Sequence, residues 1–269
     1  MKKIIIPTDF SENAQKAIDY ALHLFKNEVC RFYILHAYHS VPSSEKTKGD
    51  MQEDLNQLVK RLQAQNTASE HRFEGIMESD TVLGLTSRTV KDTGADYIFM
   101  GTKGLSALRE IFVGSNTLDL IKYIDNCSIV MVPVAYEYTD LKKLVFATDF
   151  KHAFSPIELL PLIDIAKLWN ATLNVVHIKT EESLSEEQET NKAILRNVLK
   201  GSKHLFFEIK QRDSVANTLI EIEKTNKSMG MMALLMTDHG FFQKLVRPNI
   251  IKSVAFKTEK PLIVLPQVK

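Results

Sequence analysis

The sequence contains only two cysteines, Cys30 and Cys127, and neither belongs to a C-x-x-C or Cys/His pattern. A disulfide framework is therefore excluded, and we predict two reduced thiols in the core of a cytoplasmic protein. An excess of charge of one sign is also missing, since 34 Lys and Arg residues stand against 33 Asp and Glu residues. Without a basic patch among aromatic residues, we expect neither a nucleic acid nor an anionic membrane as a partner.

Long apolar runs are absent as well. No run approaches the roughly 18 residues that span a bilayer, and the apolar start of the chain stops at Pro7, as in a buried strand rather than a signal peptide. What is present is an ordinary globular composition, with 44% hydrophobic and 25% charged residues over 269 positions. This length predicts two domains of usual size.

The chain repeats itself after about 140 residues. Lys2 to Phe10, KKIIIPTDF, returns as Lys142 to Phe150, KKLVFATDF, and Phe32 to His36, FYILH, is answered by Leu173 to His177, LNVVH. Each half also ends on a similar apolar segment, SIVMVP in the first and PLIVLP in the second. A repeat of this length indicates a duplicated domain, which we place at residues 1–138 and 141–269.

Within each half, short apolar runs alternate with segments of helical period, as in βαβ units around a parallel sheet that is buried on both faces. We predict five strands in each half. The predicted helices are Ser11 to Val29, one around Leu55 to Leu62, Val82 to Thr93, Ser115 to Ile124, Pro156 to Trp169, one ending at Gly201, Val215 to Asn226, and one opened by Pro248. Ser11 is placed to cap the first helix and Gly94 to end the third. Two polar stretches without a hydrophobic period are expected to be surface loops: Tyr38 to Asp50 and Lys179 to Glu189.

Candidate ligand-binding residues stand where the predicted strands end. In an open parallel sheet the ligand lies beyond the carboxyl ends of the strands, at the point where the strand order reverses. Pro7, Thr8 and Asp9 follow the first strand, and Ala37 closes the second. The Asp9 carboxylate can accept hydrogen bonds from both hydroxyls of a ribose.

The segment after the fourth strand has the composition of a phosphate-binding loop. It reads Gly101-x2-Gly104-x9-Gly114-Ser115 and then enters a helix. Gly101 and Gly104 allow a tight turn, and Gly114 removes a Cβ where phosphate oxygens would lie. The helix start adds hydroxyl, amide and backbone donors from three residues: Ser115, Asn116 and Thr117. The alternative is that these glycines are only turn and cap residues.

The spacing of these glycines after the fourth strand, with Asp9 at the end of the first, resembles the nucleotide-binding motif of the universal stress protein family. The resemblance covers the whole chain as two tandem copies, and PTDFS and ILHAY are typical of the ends of that family's first two strands. It implies two tandem Rossmann-like α/β/α sandwich domains, each with a five-stranded parallel sheet. Many members of the family bind ATP or AMP.

The resemblance also implies roles for single residues of the first half. Asp9 would contact the adenosine, with Pro7 and Thr8 beside it, and the backbone of Ala37 would meet the adenine edge. The ribose and the phosphates would be lined by Met100, Gly101, Lys103 and Gly104. The phosphates would be held from the helix end by Gly114, Ser115, Asn116 and Thr117. Mg²⁺ would arrive with the phosphates, since neither half places His, Cys and carboxylates at metal-ligand spacing.

The second half departs from this pattern. It retains Asp149, but alignment from the C-terminal end places Arg247-Pro248-Asn249 opposite Gly114-Ser115-Asn116. A side chain then fills the phosphate position, and Pro248 has no N–H to donate. We therefore expect this half to have lost nucleotide binding, and a scaffold role or another anion held by Arg247 stays open.

Familiar catalytic signatures are missing, including Walker A, G-x-G-x-x-G, H-E-x-x-H and G-x-S-x-G. His36 and His177 stand at strand ends, where a core imidazole bonded to the backbone is more common than a general base. We expect a cytoplasmic stress-response protein that binds an adenine nucleotide, hydrolyses it slowly or not at all, and reports its occupancy to an unidentified protein partner. The alternatives are an ATPase or nucleotidyl transferase on the same fold, and an interaction module whose nucleotide is structural.

The last strand of each half is apolar, Ile129 to Val132 and Leu262 to Leu265. A free apolar strand at a sheet edge promotes aggregation. Family members dimerise through this strand, so the resemblance implies an intramolecular pseudo-dimer of the two copies. A homodimer of the whole chain stays open.

Overall fold

The protein is described by a computed structural model at residues 1–38, 46–66, 70–102, 115–179, 181–237 and 258–267. Its contacts divide the chain into two units: the first takes in Met1–Gly101 and the described residues from Ser115 to Val134, and the second takes in Thr102 and the described residues from Ala135 onward. Every strand pair whose register is described is parallel. Among the described residues, no helix is both long and apolar enough to cross a membrane.

The first unit alternates strands and helices. Its elements are β1 (Lys2–Pro7), α1 (Glu12–Leu24), β2 (Cys30–Tyr38), α2 (Lys48–Gln65), β3 (Arg72–Ser79), α3 (Val82–Thr93), β4 (Tyr97–Thr102), α4 (Ser115–Tyr123) and β5 (Ser128–Pro133). The strand order is β3-β2-β1-β4-β5. The order therefore reverses between β1 and β4, and this is the point where a parallel sheet offers a ligand site.

The second unit repeats this plan. Its elements are β6 (Lys143–Thr148), α5 (Pro156–Leu168), β7 (Thr172–Lys179), α6 (Glu186–Val198), β8 (His204–Lys210), α7 (Val215–Thr225), β9 (Met229–Leu235) and β10 (Leu262–Leu265). The strand order, β8-β7-β6-β9-β10, has β6 and β9 in the places of β1 and β4. The predicted fold class is confirmed, and the helix predicted to open at Pro248 lies outside the described residues.

Local signals fix several helix ends. The Ser11 hydroxyl accepts a hydrogen bond from the Ala14 N–H at 3.4 Å, and α3 ends at Gly94, whose φ is 63°. Both ends were expected from the sequence. The first helix is shorter than predicted, because Phe25 takes the C-cap position and the Glu28 N–H turns back to the Phe25 carbonyl at 2.9 Å.

The two predicted surface loops are wrong at their C-terminal ends, since α2 and α6 begin inside them. A capping box starts α2: Thr47 Oγ1 accepts from the Asp50 N–H at 3.2 Å, and the Asp50 carboxylate accepts from the Thr47 N–H at 2.9 Å. The first turn is polar because it carries this cap, and it therefore shows no hydrophobic period. The corresponding pair at the start of α6 is Ser185 and Gln188.

Both cysteines lie in the core, as predicted. Cys30 is fully buried on β2 and Cys127 is buried just before β5. Burial raises the pKa of Cys30 to about 12 and raises the pKa of Cys127 as well. Each side chain therefore stays a thiol at neutral pH, and thiols are poor nucleophiles.

We expect neither cysteine to react with a disulfide reagent such as Ellman's reagent at pH 8 while the protein is folded. After denaturation, two thiols per chain should react, one for each cysteine of the sequence. The measurement is the absorbance of the released thiolate with and without denaturant. Rapid labelling of either cysteine in the folded protein would contradict the buried placement.

Candidate functional site

The turn that follows β1, residues 8–11, is held by its own side chains; we call it the β1 turn. Thr8 Oγ1 accepts from the Phe10 N–H at 3.0 Å, and Asp9 Oδ1 accepts from the Ser11 N–H at 3.0 Å. The Thr8 N–H donates to the Leu35 carbonyl at 2.7 Å. Phe10 takes a left-handed conformation with φ of 61°. This conformation is unfavourable for a bulky residue, and the surrounding bonds are what fix it.

The imidazole of His36 contacts two residues of the β1 turn. His36 Nδ1 lies 2.9 Å from the Thr8 carbonyl oxygen, and the ring centroids of His36 and Phe10 are 4.6 Å apart. Because a carbonyl only accepts, Nδ1 is the protonated nitrogen. His36 is buried. The prediction of a core imidazole bonded to the backbone is confirmed.

The second unit builds the same turn after β6 at residues 148–151, here called the β6 turn. Thr148 Oγ1 accepts from the Phe150 N–H at 3.0 Å, and Asp149 Oδ1 accepts from the Lys151 N–H at 3.0 Å. His177 Nδ1 donates to the Thr148 carbonyl at 3.2 Å, and Phe150 has a φ of 56°. Burial lowers the pKa of His177, so the neutral imidazole is favoured. The repeat seen in the sequence thus extends to individual hydrogen bonds.

The two turns differ in what covers them. Asp9 is exposed, whereas Asp149 is only 6% exposed. Two side chains of α6 bond to the backbone of the β6 turn: Gln188 Nε2 donates to the Asp149 carbonyl at 2.7 Å and Asn191 Nδ2 to the Phe150 carbonyl at 2.9 Å. Among the described residues of the first unit, no side chain of α2 makes such a bond to the β1 turn. As far as the described residues go, the β1 turn is therefore open, whereas the β6 turn is closed by α6.

Gly101 stands at the end of β4, next to β1 in the sheet. A Cβ at this position would lie 2.0 Å from the Asn13 carbonyl oxygen and 2.4 Å from its carbon. The sequence predicts Gly101 as a turn residue, but its φ lies outside the left-handed region. Its function in the fold is instead to let the first turn of α1 approach β4.

The structure brings part of the predicted site to one edge of the sheet. Because β1 pairs with both β2 and β4, the residues at the ends of these strands are neighbours: Pro7, Thr8, Asp9, Ala37, Met100 and Gly101. Pro7, Thr8 and Met100 are buried, and Ala37 and Gly101 are half-buried. At the start of α4, Ser115 and Asn116 are exposed and Thr117 is buried. Three predicted residues lie outside the described part of the chain: Lys103, Gly104 and Gly114.

Sequence reasoning missed the two residues that close the β6 turn. The capping box Ser185-x-x-Gln188 marks the start of α6 and places Asn191 one turn further on the same helix face. It gives no sign that this face bonds to the β6 turn. Within the described ranges, no three His, Cys, Asp or Glu side chains are arranged to hold a metal ion.

Residues 1–133 match the model of the universal stress protein family. No curated protein sequence matches the chain. A solved universal stress protein from Archaeoglobus fulgidus DSM 4304 is similar over 98% of this chain and 96% of its own, with a TM-score of 0.73 at 14% identity. A protein of unknown function from Pseudomonas aeruginosa PAO1 covers 99% of this chain and 92% of its own, with a TM-score of 0.61 at 14% identity. The cytoplasmic domain of a prokaryotic cation chloride cotransporter covers 98% and 95%, with a TM-score of 0.56 at 9% identity. The TM-scores show a shared fold, and at these low identities they show the fold alone.

Proposed function

Residues 1–133 belong to the universal stress protein family, and on this premise we propose that the protein binds one adenine nucleotide, ATP or AMP, at the strand ends of its first unit. The observation that carries the proposal is the difference between the open β1 turn and the closed β6 turn. Asp9 is exposed at the point where the strand order reverses, and its equivalent Asp149 is buried.

The chemistry of Asp9 fits a ribose. Its Oδ1 accepts the Ser11 N–H at 3.0 Å, which fixes the direction of the carboxylate. An ionised carboxylate has about four lone-pair positions, so one internal bond leaves acceptors for two vicinal hydroxyls. Ala37 is half-buried near the end of the neighbouring strand β2, and its backbone would meet the adenine edge.

The start of α4 fits the phosphates. Ser115 and Asn116 are exposed in its first turn and carry a hydroxyl and an amide. The N–H groups and the positive dipole end of a helix favour an anion at this position. Lys103, Gly104 and Gly114 complete the proposed phosphate site on the basis of their spacing in the sequence.

The second unit is proposed to bind no nucleotide. The side chains of Gln188 and Asn191 already donate hydrogen bonds to carbonyl groups of the β6 turn, and Asp149 is buried. A ligand there would have to break both bonds and expose the turn. We propose that occupancy of the single site, in a cytoplasmic stress response, is what a protein partner reads.

Calorimetric titration of the full chain with ATP, and separately with AMP, should give about one site per chain, because side chains of α6 close the β6 turn and Asp9 of the β1 turn is exposed. Nucleotide carried through purification should be released on denaturation and identified by anion-exchange chromatography. GTP at the same concentrations is the control ligand. Two sites per chain, or no binding of either adenine nucleotide to protein stripped of ligand, would contradict the proposal.

A further inference from the structure

The edge strand of the second unit presents apolar side chains to solvent. β8 lies at the end of its sheet, next to β7. Leu205 is 54% exposed and Phe207 is 44% exposed, and both lie on the same face of the strand because their numbers differ by two. An exposed edge of this kind is a template for pairing with another strand.

The equivalent edge of the first unit lacks such an apolar pair. β3 occupies the same place in its sheet, and none of its exposed positions carries a large apolar side chain. Both edge strands carry exposed charges, Glu74 and Glu78 among them on β3, and Glu208 and Lys210 on β8. The difference between the two edges is therefore the exposed pair Leu205 and Phe207. The two units share a fold, so the apolar edge of β8 is a property of its sequence and not of the architecture.

The free backbone groups of β8 can be assigned from its pairing with β7. The Leu173 N–H donates to the Lys203 carbonyl at 2.8 Å, and the Gln211 N–H donates to the Lys179 carbonyl at 3.0 Å. Lys203 and Gln211 therefore direct their backbone groups toward β7, and the alternation of a strand extends this to all odd-numbered residues between them. The residues whose N–H and C=O point away from the sheet are His204, Phe206, Glu208 and Lys210.

We propose that β8 pairs in antiparallel fashion with β8 of a second copy of the chain, with Phe206 opposite Phe206. In this register the outward-facing backbone groups of Phe206 meet each other and those of His204 meet those of Glu208, as an antiparallel ladder requires. Leu205 lies opposite Phe207 on both sides of the twofold axis, which covers the exposed apolar pair.

The facing side chains favour this register. It puts His204 opposite Glu208 on both sides of the axis, an imidazole that can donate a hydrogen bond opposite a carboxylate that can accept one. A shift that places Phe207 opposite Phe207 puts Phe206 opposite Glu208 instead, an aromatic ring opposite a carboxylate. Two residues of α6 contact β8 within the same unit. Lys192 Nζ lies 3.6 Å from Glu208 Oε1, and the Arg196 guanidinium lies 4.8 Å from the Phe206 ring centroid.

A ladder between two seven-residue strands is a small interface. Interfaces below about 1,200 Å² belong to weak or transient complexes, so the dimer should be concentration-dependent. The proposed pairing involves residues of the second unit only. It can therefore be tested separately from nucleotide binding, which is proposed for the first unit.

Sedimentation velocity of the full chain at increasing concentration should show a monomer–dimer equilibrium. Phe207→Lys replaces an exposed side chain, and it should shift the chain to the monomer at every concentration tested. Glu74→Lys is the matched control, because it adds a lysine at an exposed position of β3 on the other edge, and it should leave the equilibrium unchanged. A monomeric wild-type chain, or a dimer that survives Phe207→Lys, would overturn the proposal.

Engineered disulfides measure the register directly. Leu205→Cys and Phe207→Cys should form an interchain disulfide only when the two variants are mixed, since antiparallel pairs of this kind have Cα atoms about 4.5 Å apart. The native cysteines are buried and do not compete. A disulfide formed by Phe207→Cys alone would overturn the register centred on Phe206, and no disulfide in the mixture would overturn the pairing.

Discussion

Gly101→Ala is expected to lower the free energy of unfolding by about 3 kcal/mol, at the upper end of what overpacking a core costs. The added methyl group would lie 2.0 Å from the carbonyl oxygen of Asn13. That oxygen belongs to backbone and cannot rotate away as the end of a long side chain can. Relief requires α1 to move away from β4, and α1 buries Ala17 and Ala21 completely, where little space is available for a shift.

The measurement is equilibrium unfolding in urea, followed by the far-ultraviolet circular dichroism signal. Gly49→Ala is the matched control: its Cβ would lie 3.5 Å from Thr47 Oγ1, an ordinary contact, in the exposed first turn of α2. Alanine is favoured over glycine in a helix by up to about 1 kcal/mol, so this variant should be as stable as the wild type or slightly more stable. Equal stability of Gly101→Ala and wild type would show that α1 and β4 do not approach as described.

Asp9→Ala is expected to weaken adenine nucleotide binding at least about tenfold, which corresponds to about 1.4 kcal/mol. The change removes the exposed carboxylate proposed to accept the ribose hydroxyls. It also removes the bond from the Ser11 N–H to Asp9 Oδ1, which orients the β1 turn. Asp9→Asn keeps an oxygen that can accept from Ser11 and should therefore lose less affinity than Asp9→Ala.

Glu12→Ala is the control for charge. Glu12 is an exposed carboxylate in the first turn of α1, three positions from Asp9, and it lies outside the β1 turn. Its removal changes the local charge by the same amount and should leave the affinity within about twofold, or roughly 0.4 kcal/mol. Titration calorimetry on the three variants measures these differences. Unchanged affinity in Asp9→Ala would place the nucleotide elsewhere.

Features carried by neighbouring residues could be predicted from the sequence. Ser11 and Gly94 each act within one helical turn. The hydroxyl of Ser11 caps the start of α1, and Gly94 ends α3 because a residue without a side chain readily takes the left-handed conformation. The repeated TDF segments at residues 8–10 and 148–150 build the same turn, because their hydrogen bonds span only two residues.

Features that depend on distant residues could not be predicted. Gln188 reaches the carbonyl of Asp149, 39 positions earlier in the chain, and this contact exists only once α6 has packed beside β6. Gly101 and Asn13 are likewise far apart in sequence, so the glycine looks like a turn residue until the packing of α1 is known. The same limit applies to β8, since its sequence does not reveal which face of the strand remains uncovered.

The hydrogen bonds within the β1 turn make it a preorganised surface. Thr8, Asp9 and His36 hold Phe10 in its left-handed conformation by contacts inside the unit, and the β6 turn keeps the same conformation at Phe150 beneath α6. A ligand bound as proposed would meet a turn already held by these bonds, and little conformational entropy would be lost there on binding. Exchange of that ligand would then need no refolding of this segment. A change of shape that distinguishes the occupied from the empty protein is therefore expected away from the turn, in groups that the ligand itself would draw together.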